Sequence, residues 1–110
     1  MPYENLDWDK DKNSMLSYIS AAMAADEDYF YARKHAICSI GCREDAACEI
    51  VECEKEASRA LRKLCNVYLD EYFGFIGPEE ARRRAEPHLV EYNSQMIQSL
   101  KIQALSVPDA

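Results

Sequence analysis

The chain has 110 residues, 48% of them hydrophobic, with three glycines, four prolines and a net charge of −7. That length holds one hydrophobic core, and the apolar content excludes a chain that stays disordered. The acidic charge is spread along the chain without a basic region, which argues against direct nucleic-acid binding and favours a basic partner. The lack of regularly spaced turn signals favours helices. We therefore predict one all-α domain over residues 1–110.

Residues 1–12 are predicted to be an irregular segment in which Tyr3, Leu6 and Trp8 can anchor onto a core. The segment lacks the basic and apolar regions of a secretory signal, and no run in the chain approaches the roughly 18 apolar residues of a membrane span. We expect a cytoplasmic protein without membrane spans. In that reducing compartment its five cysteines should be free thiols.

A first helix of about 27 residues is predicted from Ser14 to Gly41, which is well placed to stop it. Its apolar residues recur at spacings of three and four, as they do on one face of a helix. They are Leu16, Ile19, Met23, Phe30, Ile37 and Ile40. The alternative is a break near Ala25–Asp26, where Asp26 would cap a new helix.

Two further helices are predicted, over about residues 43–73 and 78–105. Pro78 occupies the favoured first position of the third helix, whereas Pro87 should kink or restart it because proline removes a backbone donor. Residues 106–110 should form a frayed tail. The predicted architecture is an antiparallel bundle of three long helices, the third kinked, or of four helices if the first one breaks.

One set of residues has the chemistry of a soft-metal site. His35, Cys38 and Cys42 stand at i, i+3 and i+7 and would face one direction on an unbroken helix. Gly41 should end that helix before Cys42, and the chain has no Cys-x-x-Cys pair. We therefore predict no metal, and keep these three residues as weak candidates only.

The sequence carries no recognisable catalytic motif. Its two imidazoles, His35 and His88, do not lie in a nucleophile–base pattern, and phosphate-binding glycine loops are absent. The alternating acids of residues 7–13 resemble the opening of a calcium loop, but Lys12 stands where that loop needs glycine and Tyr18 where it needs glutamate. We predict neither enzymatic activity nor a cofactor.

The second helix carries a stripe of acids, which we call the acidic stripe: Asp45, Glu49, Glu52 and Glu56. These residues lie at i, i+4, i+7 and i+11 and should point outward together. Like charges at such spacings destabilise a helix by about 0.2–0.5 kcal/mol per pair, so a basic partner would relieve the repulsion. A solvated face is the alternative. We predict that the acidic stripe is a contact surface for a basic partner.

The connection after the second helix is unusually apolar, since residues 72–77 read Tyr-Phe-Gly-Phe-Ile-Gly and include Phe73 and Phe75. Loops normally lie on the surface of a protein. These aromatic side chains should therefore either cap the bundle or form an exposed apolar edge. We include Phe73 and Phe75 among the predicted partner-binding residues.

Two predictions concern the packing of the first two helices. Arg33 and Glu54 fall within apolar stripes that face each other if the chain folds back at Gly41, so we predict a buried ion pair between them. Asp26 is the competing partner for Arg33. Cys48 lies opposite the apolar stripe of its helix and should be the most accessible thiol.

Three functions fit these observations. The first is a small acidic protein that binds and blocks a basic surface on a protein partner, by analogy of size, charge and helical content with phage anti-defence and toxin-immunity proteins. The second is a cysteine-based metal-binding or redox-responsive module. The third is a helical scaffold subunit, including a homodimer that buries apolar residues of the last helix, namely Ile102, Leu105 and Val107.

Overall fold

The computed structural model describes residues 5–24 and 26–106, apart from the side chains of residues 19 and 21–24. The described part of the chain is helical and contains no strand, so the all-α class is confirmed there. The elements are α1 (Trp8–Asp11), a 3₁₀ turn (Lys12–Ser14), α2 (Met15–Ala24), α3 (Glu27–Ser39), α4 (Glu44–Tyr72) and α5 (Pro78–Ser106). The packing roles predicted for Tyr3, Ile19, Met23 and Val107 lie outside the described residues and side chains.

α4 and α5 form a helical hairpin that is the framework of the molecule. Gly74 lies in their short connection with a φ of 80°, which favours glycine over residues with a Cβ. Near this connection Ala85 packs in one cluster with Leu64, and far from it Ile102 packs against the cluster that contains Ile50. The two helices therefore run antiparallel.

The long first helix predicted for residues 14–40 is wrong, and the alternative break near Asp26 is correct. Asp26 is extended, with a φ of −96° and a ψ of −174°, and its Oδ1 accepts a hydrogen bond of 2.9 Å from the Tyr29 amide. That side-chain cap satisfies a backbone donor at the start of α3, as N-cap residues do. At the other end of α3, Gly41 has a φ of 99° and terminates the helix as predicted.

Residues 8–14 are helical, so the prediction of an irregular segment over residues 1–12 is wrong there. The Asp7 amide donates to Asp11 Oδ2 at 2.8 Å, and the Asp11 amide donates back to the Asp7 carbonyl at 2.8 Å. This reciprocal pair holds one helical turn that periodicity alone does not reveal. The turn delivers Trp8 into the core, where its exposed fraction is 3%. Trp8 is thus an anchor, as predicted.

The side chains pack in two clusters, each spanning part of the hairpin. The first core lies near the α4–α5 connection and contains Trp8, Met15, Leu64, Cys65, Val67, Ala81, Ala85 and Leu89. The second core lies near the α3–α4 connection and contains Phe30, Ile37, Cys42, Ala46, Ala47, Ile50 and Val51. α2 and α3 both pack against α4. Each flanking segment therefore completes one core.

α5 runs through Pro87 without interruption, so the helix does not restart there. Pro87 is exposed, and the carbonyl that loses its donor can be hydrated on that side. A bend at this residue stays a prediction, as does the antiparallel arrangement of the whole bundle. The described residues extend over 48 × 24 × 20 Å, and none of their helices is long and apolar enough to cross a membrane.

Candidate partner-binding surfaces

The acidic stripe lies on the outer side of α4. Asp45 and Glu52 expose 72% and 66% of their side chains, Glu49 is exposed, and Glu56 keeps 42%. Because α4 is continuous from Glu44 to Tyr72, the four carboxylates keep the helical spacing that places them on one face. The outward orientation of the acidic stripe is therefore as predicted.

Nearby cations reduce the repulsion that the spacing of these acids implied. Glu52 Oε1 lies 3.4 Å from Lys55 Nζ, and Glu56 forms a close ion pair with Arg59. Asp45 Oδ1 lies 3.5 Å from Arg43 Nε. Such exposed pairs contribute about 0–1 kcal/mol each, but they lower the local charge that a partner would meet.

The outer face of α4 becomes basic beyond the acidic stripe. Arg59, Arg62 and Lys63 are all exposed, and they follow the stripe toward the C-terminal half of the helix. A basic partner would therefore be attracted to the first half of α4 and repelled by the second. This order of charges is visible in the sequence and restricts where such a partner can lie.

The end of α4 and its connection to α5 carry three exposed aromatic side chains, which we call the aromatic tip. Tyr72, Phe73 and Phe75 expose 68%, 64% and 78% of their surfaces. The rings of Tyr72 and Phe73 lie 5.3 Å apart at 84°, an edge-to-face pair. Ile76 turns inward and packs against the first core. Of the two predicted arrangements, the exposed apolar edge is the one found.

The backbone of the aromatic tip is fixed by α4. The Asp70 carbonyl accepts hydrogen bonds from the amides of Phe75, at 2.8 Å, and Ile76, at 3.3 Å. Asp70 precedes the tip and Glu79 follows it, and neither carboxylate lies within 4.0 Å of a basic group among the described residues. The tip therefore combines ordered aromatic surface with unpaired negative charge.

The acidic stripe and the aromatic tip are separate surfaces. Phe73 lies seventeen positions after Glu56 along α4 and its C-cap, which corresponds to about 25 Å at 1.5 Å per residue. Arg59 and Lys63 lie between them. The structure therefore does not bring the predicted partner-binding residues together into one patch.

The weak metal candidates do not converge either. His35 is exposed, with its ring 4.5 Å from that of Tyr31, whereas Cys38 is half-buried and Cys42 is buried in the second core. The positive φ of Gly41 redirects the chain between the two cysteines. Within residues 5–24 and 26–106, no group of three or more His, Cys, Asp or Glu side chains is arranged to hold a metal ion.

The predicted ion pair between Arg33 and Glu54 is confirmed, although it is only partly buried. Arg33 Nε lies 3.2 and 3.1 Å from the two carboxylate oxygens, and Nη2 lies 3.0 Å from Oε1. The exposed fractions of the side chains are 39% for Arg33 and 15% for Glu54. The hydrogen bonds to the carboxylate raise the pKa of Arg33, against the opposing effect of burial. Asp26 instead caps α3.

The five cysteines are free thiols in different environments. Cys48 is exposed, as predicted, while Cys38 and Cys53 are half-buried and Cys42 and Cys65 are buried. Burial raises the pKa of Cys65 to about 11, and burial, followed by nearby acids, also raises that of Cys53. A raised pKa lowers the fraction of reactive thiolate at neutral pH.

We expect a thiol reagent at neutral pH to label Cys48 first and Cys65 last, because Cys48 is exposed, whereas burial shields Cys65 and raises its pKa. Peptide mapping by mass spectrometry after increasing reaction times measures the order. Replacement of Cys48 by serine should remove the fast phase without changing the slower ones. A fast phase that survives in that variant would place another thiol at the surface.

Two features of this surface were missed by sequence reasoning. Tyr72 belongs to the aromatic tip, although only Phe73 and Phe75 were among the predicted partner-binding residues. Val90, Ile97 and Leu100 are exposed on α5 by 59%, 39% and 41%, and form a second face beside the buried one. The spacings of seven and three residues between them place them on one side of a helix, so this face could have been predicted from the sequence. Ile102, predicted to be left exposed, packs against the second core instead.

No known protein family, curated protein or solved structure matches this chain significantly. Any binding partner must therefore be inferred from the surface of the chain itself.

Proposed function

We propose that this chain is a small acidic interaction protein that binds and blocks a basic surface on a protein partner, the class to which phage anti-defence inhibitors and toxin-immunity proteins belong. The observation that carries the proposal is the aromatic tip flanked by Asp70 and Glu79, two carboxylates without an ion-pair partner within residues 5–24 and 26–106. As part of the same proposal the body is an antiparallel helical bundle, and the protein acts in the cytoplasm without enzymatic activity or a cofactor.

The aromatic tip has the properties of a binding hot spot. Aromatic residues dominate the energetics of protein interfaces, because each buries a large area at a small cost in conformational entropy. In the free protein, most of the surface of Phe73 and Phe75 is in contact with water. This exposure has an unfavourable free energy of about 25 cal/mol per Å² of apolar area. A pocket on a partner would remove that cost, and a basic rim would pair with the flanking carboxylates.

The acidic stripe has a supporting role in this proposal. Its distance from the tip means that one partner contacts both only if it lies along α4. If it does not, the stripe still contributes to the long-range attraction of a basic partner, and that contribution falls with added salt because the Debye length is about 8 Å at physiological ionic strength. The net charge of −7 acts in the same direction.

The proposal is tested by substitution of the tip. The combined change Phe73→Ser and Phe75→Ser should weaken binding to a captured basic partner by about tenfold or more, since hot-spot residues each contribute above about 1 kcal/mol. Capture on immobilised protein identifies the partner, and titration calorimetry measures its affinity. Leu105→Ser is the matched control, because Leu105 is exposed by 89% at the end of α5. Equal losses in both variants would remove the aromatic tip from the interface.

The acidic stripe is tested by reversing Glu49, Glu52 and Glu56 to lysine together. We expect slower association and a weaker salt dependence, with helicity by circular dichroism unchanged. The variant also breaks the local pairs to Lys55 and Arg59, so its thermal stability is measured alongside. Association that keeps its rate and salt dependence would leave the aromatic tip as the whole contact surface.

A second candidate function is a helical assembly subunit. Val90, Ile97, Leu100 and Leu105 on α5 are exposed apolar residues without a partner in the described part of the chain. Helix faces of this kind commonly associate with another helix. Strong self-association that is lost in Leu105→Ser, without capture of any other protein, would favour this function over the first.

A further inference from the structure

The segment of residues 5–24 is attached to the rest of the protein by contacts with α4 and α5. Trp8 and Met15 are almost fully buried in the first core, at 3% and 0% exposure, among side chains of the hairpin. Two hydrogen bonds join the Leu6 backbone to the Asn93 side chain, at 2.9 Å and 3.0 Å. All these contacts lie far apart in sequence, so an identical segment from another chain could make them equally well.

Two ion pairs complete this attachment. Lys12 Nζ lies 3.0 Å from Glu71 Oε1 near the end of α4, and Asp9 pairs with Arg82 at the start of α5. The site on the hairpin that binds the segment therefore accommodates Trp8 and carries charges on both sides that are complementary to those of the segment. Residues 5–24 themselves show which sequence this site binds.

The cores are divided in a way that would leave both intact after an exchange. Trp8 and Met15 contribute to the first core alone, whereas Phe30 and Ile37 of α3 contribute to the second core alone. Among the described side chains, none of the segment 5–24 belongs to the second core. As far as these described side chains are concerned, the segment can leave its own hairpin without disturbing the packing of α3.

The junction between α2 and α3 is short and contains no helix breaker. Ala24 ends α2 and Glu27 begins α3, and no glycine or proline lies between Met15 and Ser39. The cap made by Asp26 marks the start of α3, and an N-cap contributes about 1 kcal/mol. Short connections between packed elements favour exchange of segments between chains.

We propose that residues 5–24 can exchange between two copies of this chain, with α2 and α3 joined as one continuous helix. A helix over residues 15–39 would be about 37 Å long and would carry Trp8 away from its own hairpin. The first core of each copy is then completed by the Trp8 and Met15 of the other. This proposal is independent of the partner-binding function and uses neither the acidic stripe nor the aromatic tip.

Two substitutions in the junction shift the equilibrium in opposite directions. Asp26→Ala removes the cap that only the unexchanged monomer uses, so it should raise the dimerisation constant about fivefold for each chain, roughly thirtyfold in all. Glu27→Pro places proline at the first position of α3, where it is tolerated, and the extended Asp26 before it suits proline. A continuous helix is then blocked, so this variant should stay monomeric.

The experiment is size-exclusion chromatography with light scattering on the full chain, from micromolar to millimolar concentration. We expect the fraction of dimer to be highest for Asp26→Ala, intermediate for the wild type and lowest for Glu27→Pro. Leu105→Ser should have the same fraction of dimer as the wild type. Trp8 is the only tryptophan in the sequence, so the fluorescence emission maximum reports on its burial. That maximum should be the same in monomer and dimer. Dimerisation that Glu27→Pro does not reduce, dimerisation lost only in Leu105→Ser, or monomer throughout for Asp26→Ala would each overturn the proposal. Circular dichroism verifies that the variants are folded.

Discussion

Replacement of Trp8 by alanine is expected to lower the free energy of unfolding by about 3–5 kcal/mol, the cost of removing a large aromatic side chain from a packed core. Trp8 has 3% of its surface exposed and packs in the first core with Leu64 and Ala85. The small alanine side chains of α5 in this core leave space for the indole. Removal of the indole should therefore create a cavity that these small side chains cannot fill. Urea unfolding followed by circular dichroism measures the change.

Leu16→Ala is the matched control for this prediction. Leu16 lies in the same segment but is 53% exposed, so its replacement should cost less than about 1 kcal/mol. If Trp8→Ala costs as little as the control, the segment 5–24 is not docked on the hairpin in solution, and the exchange proposed for it has no basis.

The two single replacements in the Arg33–Glu54 pair are expected to differ in cost. Arg33→Met should destabilise by about 2–3 kcal/mol, because it leaves the carboxylate of Glu54 unpaired at 15% exposure. Glu54→Leu should cost about 1 kcal/mol, because Arg33 is more exposed and can turn toward water while leucine adds apolar contact. The double replacement should recover much of the loss, giving a coupling energy above about 1 kcal/mol.

Arg83→Met provides the control for the arginine replacement. Arg83 also pairs with a glutamate, but it exposes 78% of its side chain. The change there should lie within about 0.5 kcal/mol of zero. Strictly additive effects of Arg33→Met and Glu54→Leu would show that the observed hydrogen bonds contribute no net stability.

The helices that the sequence predicted well are those with strong local end signals. Gly41 and Gly74 permit the positive φ that ends a helix, and Pro78 fixes φ at a first helical position, so the ends of α3 and α4 and the start of α5 followed directly. The break at Asp26 depends on one side-chain hydrogen bond that competes with helix continuation, and the turn at Trp8 depends on tertiary packing. Periodicity is insensitive to both effects.

The candidate surfaces were predictable to a similar extent. Helical spacing was enough to place the acidic stripe outward and to pair Arg33 with Glu54. Whether Phe73 and Phe75 cap the bundle depends on how far α4 extends beyond the first core, which local patterns do not encode. The cations at Lys55 and Arg59 were visible three residues beyond their acids, and show that the self-repulsion inferred for the acidic stripe was overestimated.

The division of the interior into two cores has a consequence for how the protein opens. The first core is closed by residues 5–24 and the second by α3, while α4 and α5 extend through both. Either closing segment can detach while the hairpin and the other core persist, which makes each a separate unit of local unfolding. Amide hydrogen exchange in α3 then reports on one end of the molecule, and exchange in α2 on the other. If a partner binds at one end, it should slow amide exchange in the helix at that end. The helix whose exchange slows would therefore identify the bound end.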